Sequence, residues 1–229
     1  MRLGITLLLT ALAAQTGMSC SAAGPEDPYL VSWDSPSDGP SGSMPLGNGA
    51  YGINLWVEPN GDICFYVSGS GAWSGNARLL KLGRVRLQLD PAPPVKDSVF
   101  TQVLDTRTGV ATITFGEGNE ATRVEVWVDA NYSAVRVQMR SGTPRLMRAL
   151  AESWRTASRE LRAEERGSAY GLAESDKPIV EEPDTFTSGG SDVVILYHRN
   201  EQSIWADTMR HQGMESWLTQ GQDPLLHRT

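Results

Sequence analysis

The residues best suited to bind a ligand lie in a short segment rich in glycine and serine. Residues 69–76 hold one large aromatic side chain, Trp73, among small residues, and the segment ends in the amide Asn76. The flat face of a tryptophan stacks on the apolar face of a sugar ring, and an asparagine both donates and accepts hydrogen bonds. We therefore predict a loop in which Trp73 and Asn76 bind a sugar or, equally, contact a neighbouring domain.

A second glycine-rich segment, residues 47–52, contains Asn48. Phosphate-binding loops of this composition precede a helix, whereas this segment precedes a strand-like pattern that begins at Tyr51. The simplest interpretation is a tight turn into that strand. Asn48 is the third candidate for ligand binding or for a domain interface.

Three further tryptophans could extend a sugar-stacking surface: Trp33, Trp56 and Trp127. Trp56 and Trp127 fall on strand faces opposite the Val, Leu and Ile residues, so that face is either covered by a second layer or exposed for binding. Packing is favoured, because a large sandwich often carries a helix or a second domain on its outer face.

The sequence does not show the residue spacings that other kinds of active or metal site need. A glycosidase pair requires two carboxyl groups at a separation of about 5–5.5 or 6.5–9.5 Å, and most acidic residues here alternate outward on strands or lie in polar loops. His198, His211 and His227 show no metal-binding spacing, and no Gly-x-Ser-x-Gly motif is present. Cys64 lies in the apolar run 63–67, which favours a buried small hydrophobe over a nucleophile. We predict no catalytic residue, no metal site and no cofactor in this chain.

The length and net charge of the chain exclude several classes of protein. The chain has 229 residues, of which 40% are apolar, and these suffice for one large domain. They do not suffice for a β-domain together with a twelve-helix barrel, since each helix takes about 11–12 residues plus its connection. The net charge of −7 repels phosphate backbones, so we expect no nucleic-acid partner.

Residues 1–23 have the character of an export signal. Arg2 precedes an apolar stretch, residues 3–14, that is too short to span a bilayer. Small residues favour cleavage after Ala22 or Ala23, while Cys20 lies where a bacterial lipoprotein would carry its lipid. We expect an exported chain, periplasmic, extracellular or anchored as a lipoprotein, with no later transmembrane segment.

The elements that must position the candidate residues are strands. Alternation of apolar and polar residues recurs through the first 140 residues, in runs separated by turn clusters such as 91–94, 106–109 and 116–119. Asn60-Gly61 is a strong hairpin signal between two of these runs. The pattern predicts an all-β fold, an antiparallel sandwich or barrel, with residues 24–229 as a single domain. Strands with apolar side chains on one face and charged ones on the other suit two packed sheets, which favours the sandwich.

The last third of the sequence is less regular. Residues 146–154 fit a helix and a strand equally well by propensity, and residues 156–190 are polar and loop-like. A further strand is predicted over residues 193–197. Ser203 can cap the N-terminus of a short helix that runs to about His211 and ends at Gly213.

Several motifs together resemble a known family. The N-terminal β-domain of glycoside hydrolase family 95, the α-L-fucosidase and α-L-galactosidase family, carries similar segments. The matching segments here are Pro45-Leu46-Gly47-Asn48-Gly49, Asp62-Ile63-Cys64-Phe65-Tyr66 and Ala72-Trp73-Ser74-Gly75-Asn76. A closer resemblance is to a bacterial family known as domain of unknown function 5703. It is carried by residues 79–87, 126–131, 152–155, 197–201 and 223–229.

This resemblance implies a large antiparallel β-supersandwich with a few short helices near the C-terminus, and a strand over residues 146–154. In such proteins the β-domain precedes an (α/α)6 barrel that carries the catalytic Glu and Asp, so none of those residues can be assigned here. We expect a chain truncated before its barrel: a non-catalytic domain of an exported glycoside-hydrolase-like protein that braces the barrel or shapes a carbohydrate-binding cleft. The alternative is a free-standing carbohydrate-binding module.

Overall fold

A computed structural model describes residues 27–95, 99–169, 178–190 and 192–229 of the chain. The predicted export signal over residues 1–23, with its candidate lipid-bearing Cys20, lies outside the described residues. No helix in the described ranges is long and apolar enough to cross a membrane.

Ten strands form the body of the molecule, and their pairing is antiparallel throughout. In chain order they are β1 (Leu30–Trp33), β2 (Met44–Gly47), β3 (Tyr51–Val57), β4 (Ile63–Trp73), β5 (Leu79–Asp90), β6 (Phe100–Asp105), β7 (Val110–Phe115), β8 (Thr122–Val128), β9 (Val135–Ser141) and β10 (Leu146–Glu152). One sheet has the order β1-β6-β7-β8-β9 and the other the order β10-β5-β4-β3-β2. The predicted all-β sandwich is confirmed.

The hydrophobic core lies between the two sheets. It is built from the alternate residues of each strand that point inward, as the period of two predicted. Both sheets contribute fully buried side chains, among them Leu55, Ile63, Ile113 and Val124.

The predicted hairpin joins β3 to β4. The Glu58 amide donates to the Asp62 carbonyl at 2.9 Å, and Gly61 has a φ of +88°, a conformation that favours glycine. Cys64 follows on β4 and is fully buried, as predicted. Burial raises the pKa of its thiol to about 12, which leaves the thiol protonated and unreactive at neutral pH.

A second layer covers part of the outer face of the β10-β5-β4-β3-β2 sheet. Trp56 is completely buried there, with its ring 5.0 Å from that of Tyr66, which in turn meets the edge of Trp154 at 5.7 Å. The prediction that Trp56 packs under a second layer is confirmed. Trp127 is only half-buried on the other sheet.

The C-terminal third consists of short elements. They are β11 (Arg159–Glu160), α1 (Ala163–Arg166), β12 (Val180–Glu181), β13 (Thr185–Ser188), β14 (Val194–Tyr197), α2 (Trp205–His211) and a 3-10 helix, Glu215–Thr219. β11 pairs with β12, and β13 pairs with β14. The prediction that residues 156–190 are loop-like is therefore wrong in part: it contains strands of two to four residues. β11 is specified by a partner about twenty positions away, whereas β13 pairs with β14 across a short turn.

Two other ambiguities are resolved. Residues 146–152 form a strand because β10 pairs along its whole length with β5, from Leu146 opposite Asp90 to Glu152 opposite Arg84. The short helix after Ser203 is confirmed, and Gly213 has a φ of +68° just beyond the end of α2. The predicted cap is shifted by one residue: the N-cap is Ile204, without a side-chain cap bond, and Ser203 Oγ accepts a hydrogen bond from the Trp205 amide at 3.0 Å.

Candidate functional site

Asn48 holds a turn together. Its Oδ1 accepts hydrogen bonds from the amides of Ala50 and Tyr51 at 3.0 and 2.8 Å, and its Nδ2 donates to the Asp129 carbonyl at 2.8 Å. Both polar atoms of the amide are thus engaged in joining the β2–β3 turn to the loop after β8. The structure gives Asn48 the role of a turn residue, and it lines neither of the cavities described below.

The segment around Trp73 is not a free loop, so that part of the prediction is wrong. β4 continues to Trp73, which lies opposite Leu79 of β5. Between the pairs Ser68–Lys81 and Trp73–Leu79, four residues of β4 lie opposite one residue of β5, which makes a large irregular bulge. The bulge stays ordered because Gly69 pairs with Tyr51 of β3 and the Ser70 amide donates to the Ala50 carbonyl at 2.9 Å.

Trp73 and Asn76 flank the turn that follows this bulge. The Trp73 indole nitrogen donates to the Ser70 carbonyl at 2.8 Å, which fixes the ring against the bulge. Asn76 Nδ2 donates to the Val180 carbonyl at 2.6 Å. Trp73 and Asn76 lie three residues apart but open onto different cavities.

Residues 198–229, here called the C-terminal segment, pack against the turn. Asn200 Nδ2 donates to the carbonyls of Trp73 and Leu225, both at 2.9 Å, and the Ile204 amide donates to the Gly75 carbonyl at 2.9 Å. A Cβ at Gly75 would lie 2.0 Å from the Gln202 carbonyl oxygen. Only glycine at position 75 permits this approach of the two backbones.

A buried group of charged and polar side chains lies beneath this contact. The Asp184 carboxylate is fully buried and accepts both Nε and Nη2 of Arg155 at 2.8 Å, together with the Ser153 hydroxyl. His198 Nδ1 lies 3.0 Å from Asp184 Oδ1 and donates to it, because a carboxylate can only accept. Arg155 also donates to the Lys81 and Leu82 carbonyls, at 2.7 and 3.0 Å.

The electrostatics of this group favour the ionised carboxylate. Burial alone would raise the pKa of Asp184, but the hydrogen bonds from His198, Arg155 and Ser153 outweigh it and hold the pKa below its usual value. An ionised Asp184 keeps His198 in the tautomer that carries its proton on Nδ1. The other ring nitrogen, Nε2, has no hydrogen-bond partner within the described ranges.

Two cavities open on either side of His198, which lines both. The first, here called the aromatic cavity, has a volume of about 270 Å³ and is lined by Tyr51, Trp73, Leu196 and Arg228 among others. The second, here called the acidic cavity, has a volume of about 200 Å³ and includes Asn76, Glu182, Glu201 and Asp207. These volumes lie near or below the lower limit for small-molecule sites, about 300 Å³, and suit a single sugar ring.

Three lining residues of the aromatic cavity were not predicted from the sequence: Tyr51, His198 and Arg228. They come from three distant parts of the chain, so no local spacing connects them. Their only sequence signal is that Tyr51 follows the Asn48 turn and that His198 and Arg228 lie in motifs of the family resemblance. Across the parts of the chain that the structure describes, no group of three or more His, Cys, Asp or Glu side chains could hold a metal ion.

The first prediction concerns the buried carboxylate. Asp184→Asn removes the charge that neutralises Arg155, whose side chain is 2% exposed. Losing one partner of a buried pair should lower the free energy of unfolding by about 3–5 kcal/mol. Urea denaturation measures this change in the free energy of unfolding. Glu215→Gln is the matched control: it breaks an ion pair with Arg210 whose glutamate is 72% exposed, and it should cost less than about 1 kcal/mol. Equal, small effects would contradict the structural role of Asp184.

The second prediction concerns the dependence of stability on pH. The pKa of Asp184 is lower in the folded chain than its ordinary value of 3.8, so its ionised form stabilises the fold at pH values above 3.8. That contribution is lost as the pH falls through the folded pKa. The difference in unfolding free energy between wild type and Asp184→Asn should therefore shrink below about pH 4. A difference that stays constant from pH 7 to pH 2 would show that ionisation of Asp184 is not involved.

Comparison with known families identifies the family of the chain. A search of curated proteins gave no match. The sequence pattern of one family, described as a domain of unknown function (DUF5703), matches residues 32–229, which include all ten strands of the sandwich except the first two residues of β1. Because this match covers most of the sequence, the chain belongs to the DUF5703 family, in its N-terminal domain.

Proposed function

We propose that this chain is the non-catalytic β-sandwich domain of an exported bacterial glycoside-hydrolase-like protein, and that it helps to shape a carbohydrate-binding cleft. One observation carries the proposal. The aromatic cavity places the rings of Tyr51 and Trp73 beside the polar side chains of His198 and Arg228. Aromatic faces and a few convergent polar groups are what recognition of a sugar ring requires.

The proposed glycoside-hydrolase context rests on the motif resemblance to glycoside hydrolase family 95. In that context an (α/α)6 barrel supplies the catalytic carboxylates, and this domain braces the barrel and forms one wall of the cleft. Apolar side chains exposed on the β13–β14 ribbon, such as Phe186 and Val194, are consistent with a surface that contacts another domain.

The alternative is a free-standing carbohydrate-binding module. It is supported by the lining of the aromatic cavity, to which strands β3, β4, β5 and β14 and the C-terminal segment of this chain all contribute. Sugar binding by the isolated chain supports the module. Binding that requires addition of a helical-barrel domain supports the bracing role.

The third prediction tests the aromatic cavity. Trp73→Ala should weaken carbohydrate binding by about 1–3 kcal/mol, as is typical of losing an aromatic anchor. It should lower the free energy of unfolding by no more than about 2 kcal/mol, because the ring is only half-buried. A glycan array followed by calorimetry on the best ligand measures the first effect, and urea denaturation the second.

Trp217→Ala is the matched control for this prediction. Trp217 is 54% exposed and lines neither cavity, so its loss should leave binding unchanged. If the two variants bind sugar equally well, the aromatic cavity is not the carbohydrate site.

The fourth prediction tests export. Expressed from its full sequence in a bacterial host, the chain should leave the cytoplasm, with a mature N-terminus after Ala22 or Ala23, or with a lipid on Cys20. Intact-mass spectrometry distinguishes the two forms, and Cys20→Ser should abolish only the lipidated one. A cytoplasmic chain with an intact N-terminus would overturn the proposed localisation.

A further inference from the structure

The two cavities beside His198 differ in charge. Three carboxylate side chains line the acidic cavity, those of Glu182, Glu201 and Asp207. No aspartate or glutamate side chain lines the aromatic cavity. Its basic side chains are those of Arg228 and His198, and its other ionisable side chains are the phenols of Tyr51 and Tyr197. The whole chain has a net charge of −7, so a cavity without acidic side chains differs in charge from the rest of the surface.

Arg228 is available to a ligand. Its backbone carbonyl accepts the Asn200 amide at 2.9 Å, which holds the residue beside the cavity. Its side chain forms no ion pair with any residue that the structure describes, in contrast to Arg199 nearby, whose Nε lies 2.9 Å from Glu201. A guanidinium without a carboxylate partner can bind a carboxylate through two parallel hydrogen bonds.

His198 presents its Nε2 in a fixed direction. Its side chain is 7% exposed, and its Nδ1 is committed to Asp184, so the ring cannot rotate without breaking that bond. The charge of Asp184 is in turn balanced by Arg155. The buried carboxylate therefore orients the imidazole without making the cavity acidic.

We infer that the aromatic cavity binds an acidic sugar, specifically a uronic acid residue, with its ring on the face of Trp73 and its carboxylate held by Arg228. This inference rests on the proposed carbohydrate-binding function and names the class of sugar. An anionic ligand is repelled by the rest of the acidic surface, and by the acidic cavity in particular, so Arg228 gives the aromatic cavity its selectivity.

The test compares a polysaccharide with its own uncharged form. Polygalacturonate and glucuronoxylan oligosaccharides are titrated against the full chain by calorimetry, together with the same oligosaccharides after reduction of their carboxyl groups to alcohols. We expect the acidic forms to bind at least about tenfold more tightly, because a charge-assisted bidentate hydrogen bond replaces a neutral one. Binding should also weaken as salt is raised from about 0.05 to 0.5 M.

The variant Arg228→Gln should remove this preference, so that its affinity for the acidic forms falls to about its affinity for the reduced forms. Since the Arg228 side chain has no partner in the described fold, the melting temperature should not change. Arg199→Gln, on the same segment but lining the acidic cavity, is the control and should keep the preference. Sulfated galactan oligosaccharides distinguish a carboxylate site from a general anion site. If sulfated and uronic acid oligosaccharides bind equally tightly, the cavity accepts any anionic sugar and the inference is overturned.

The remaining outcomes separate this inference from the function on which it rests. Equal binding of acidic and reduced sugars, unaffected by Arg228→Gln, would overturn the inference while leaving the carbohydrate site intact. Absence of binding for every sugar, in a chain that remains folded, would overturn the proposed carbohydrate-binding function itself.

Discussion

The arrangement of the candidate site depends on the buried pair of Arg155 and Asp184. Neither side chain is exposed to water by more than 2%, and a charge in that position is tolerated only when it is paired and hydrogen-bonded. Arg155 follows the last strand of the sandwich, and Asp184 begins the ribbon of β13 and β14. Joining them fixes where the C-terminal third lies on the outer face of the sheet.

The pair is matched to an irregularity in the sheet. On β5, Leu82 is an extra residue between two partners of β4, Lys81 being opposite Ser68 and Gly83 opposite Val67. Such a bulge interrupts the ladder of hydrogen bonds and leaves backbone carbonyls that require donors. Arg155 donates to the carbonyls of both Lys81 and Leu82. The same guanidinium thus satisfies the bulge and neutralises the carboxylate.

The two cavities follow from this anchoring. Asp184 orients His198, and Asn200, two residues further, binds the carbonyl of Trp73. The chain therefore crosses the bulged end of β4 at a fixed distance, with one cavity on each side of the crossing. A tight contact at Gly75 lies on one side and a half-buried indole on the other, and the two cavities differ in their charged lining residues.

The sequence by itself determined the antiparallel all-β fold, the β3–β4 hairpin, the burial of Trp56 and Cys64 and the short helix after Ser203. Each of these is set by a local signal: a period of two, an Asn-Gly turn, an apolar run or a serine just before a helix. The sequence also singled out Trp73 and Asn76. Only the tertiary structure showed that β4 extends to Trp73, that the Asn48 amide joins its turn to the loop after β8, and that Tyr51, His198 and Arg228 meet at one cavity. These facts depend on contacts such as that between Asn200 and Trp73, 127 positions apart, and on the pairing of buried charges, neither of which leaves a periodic trace in the sequence.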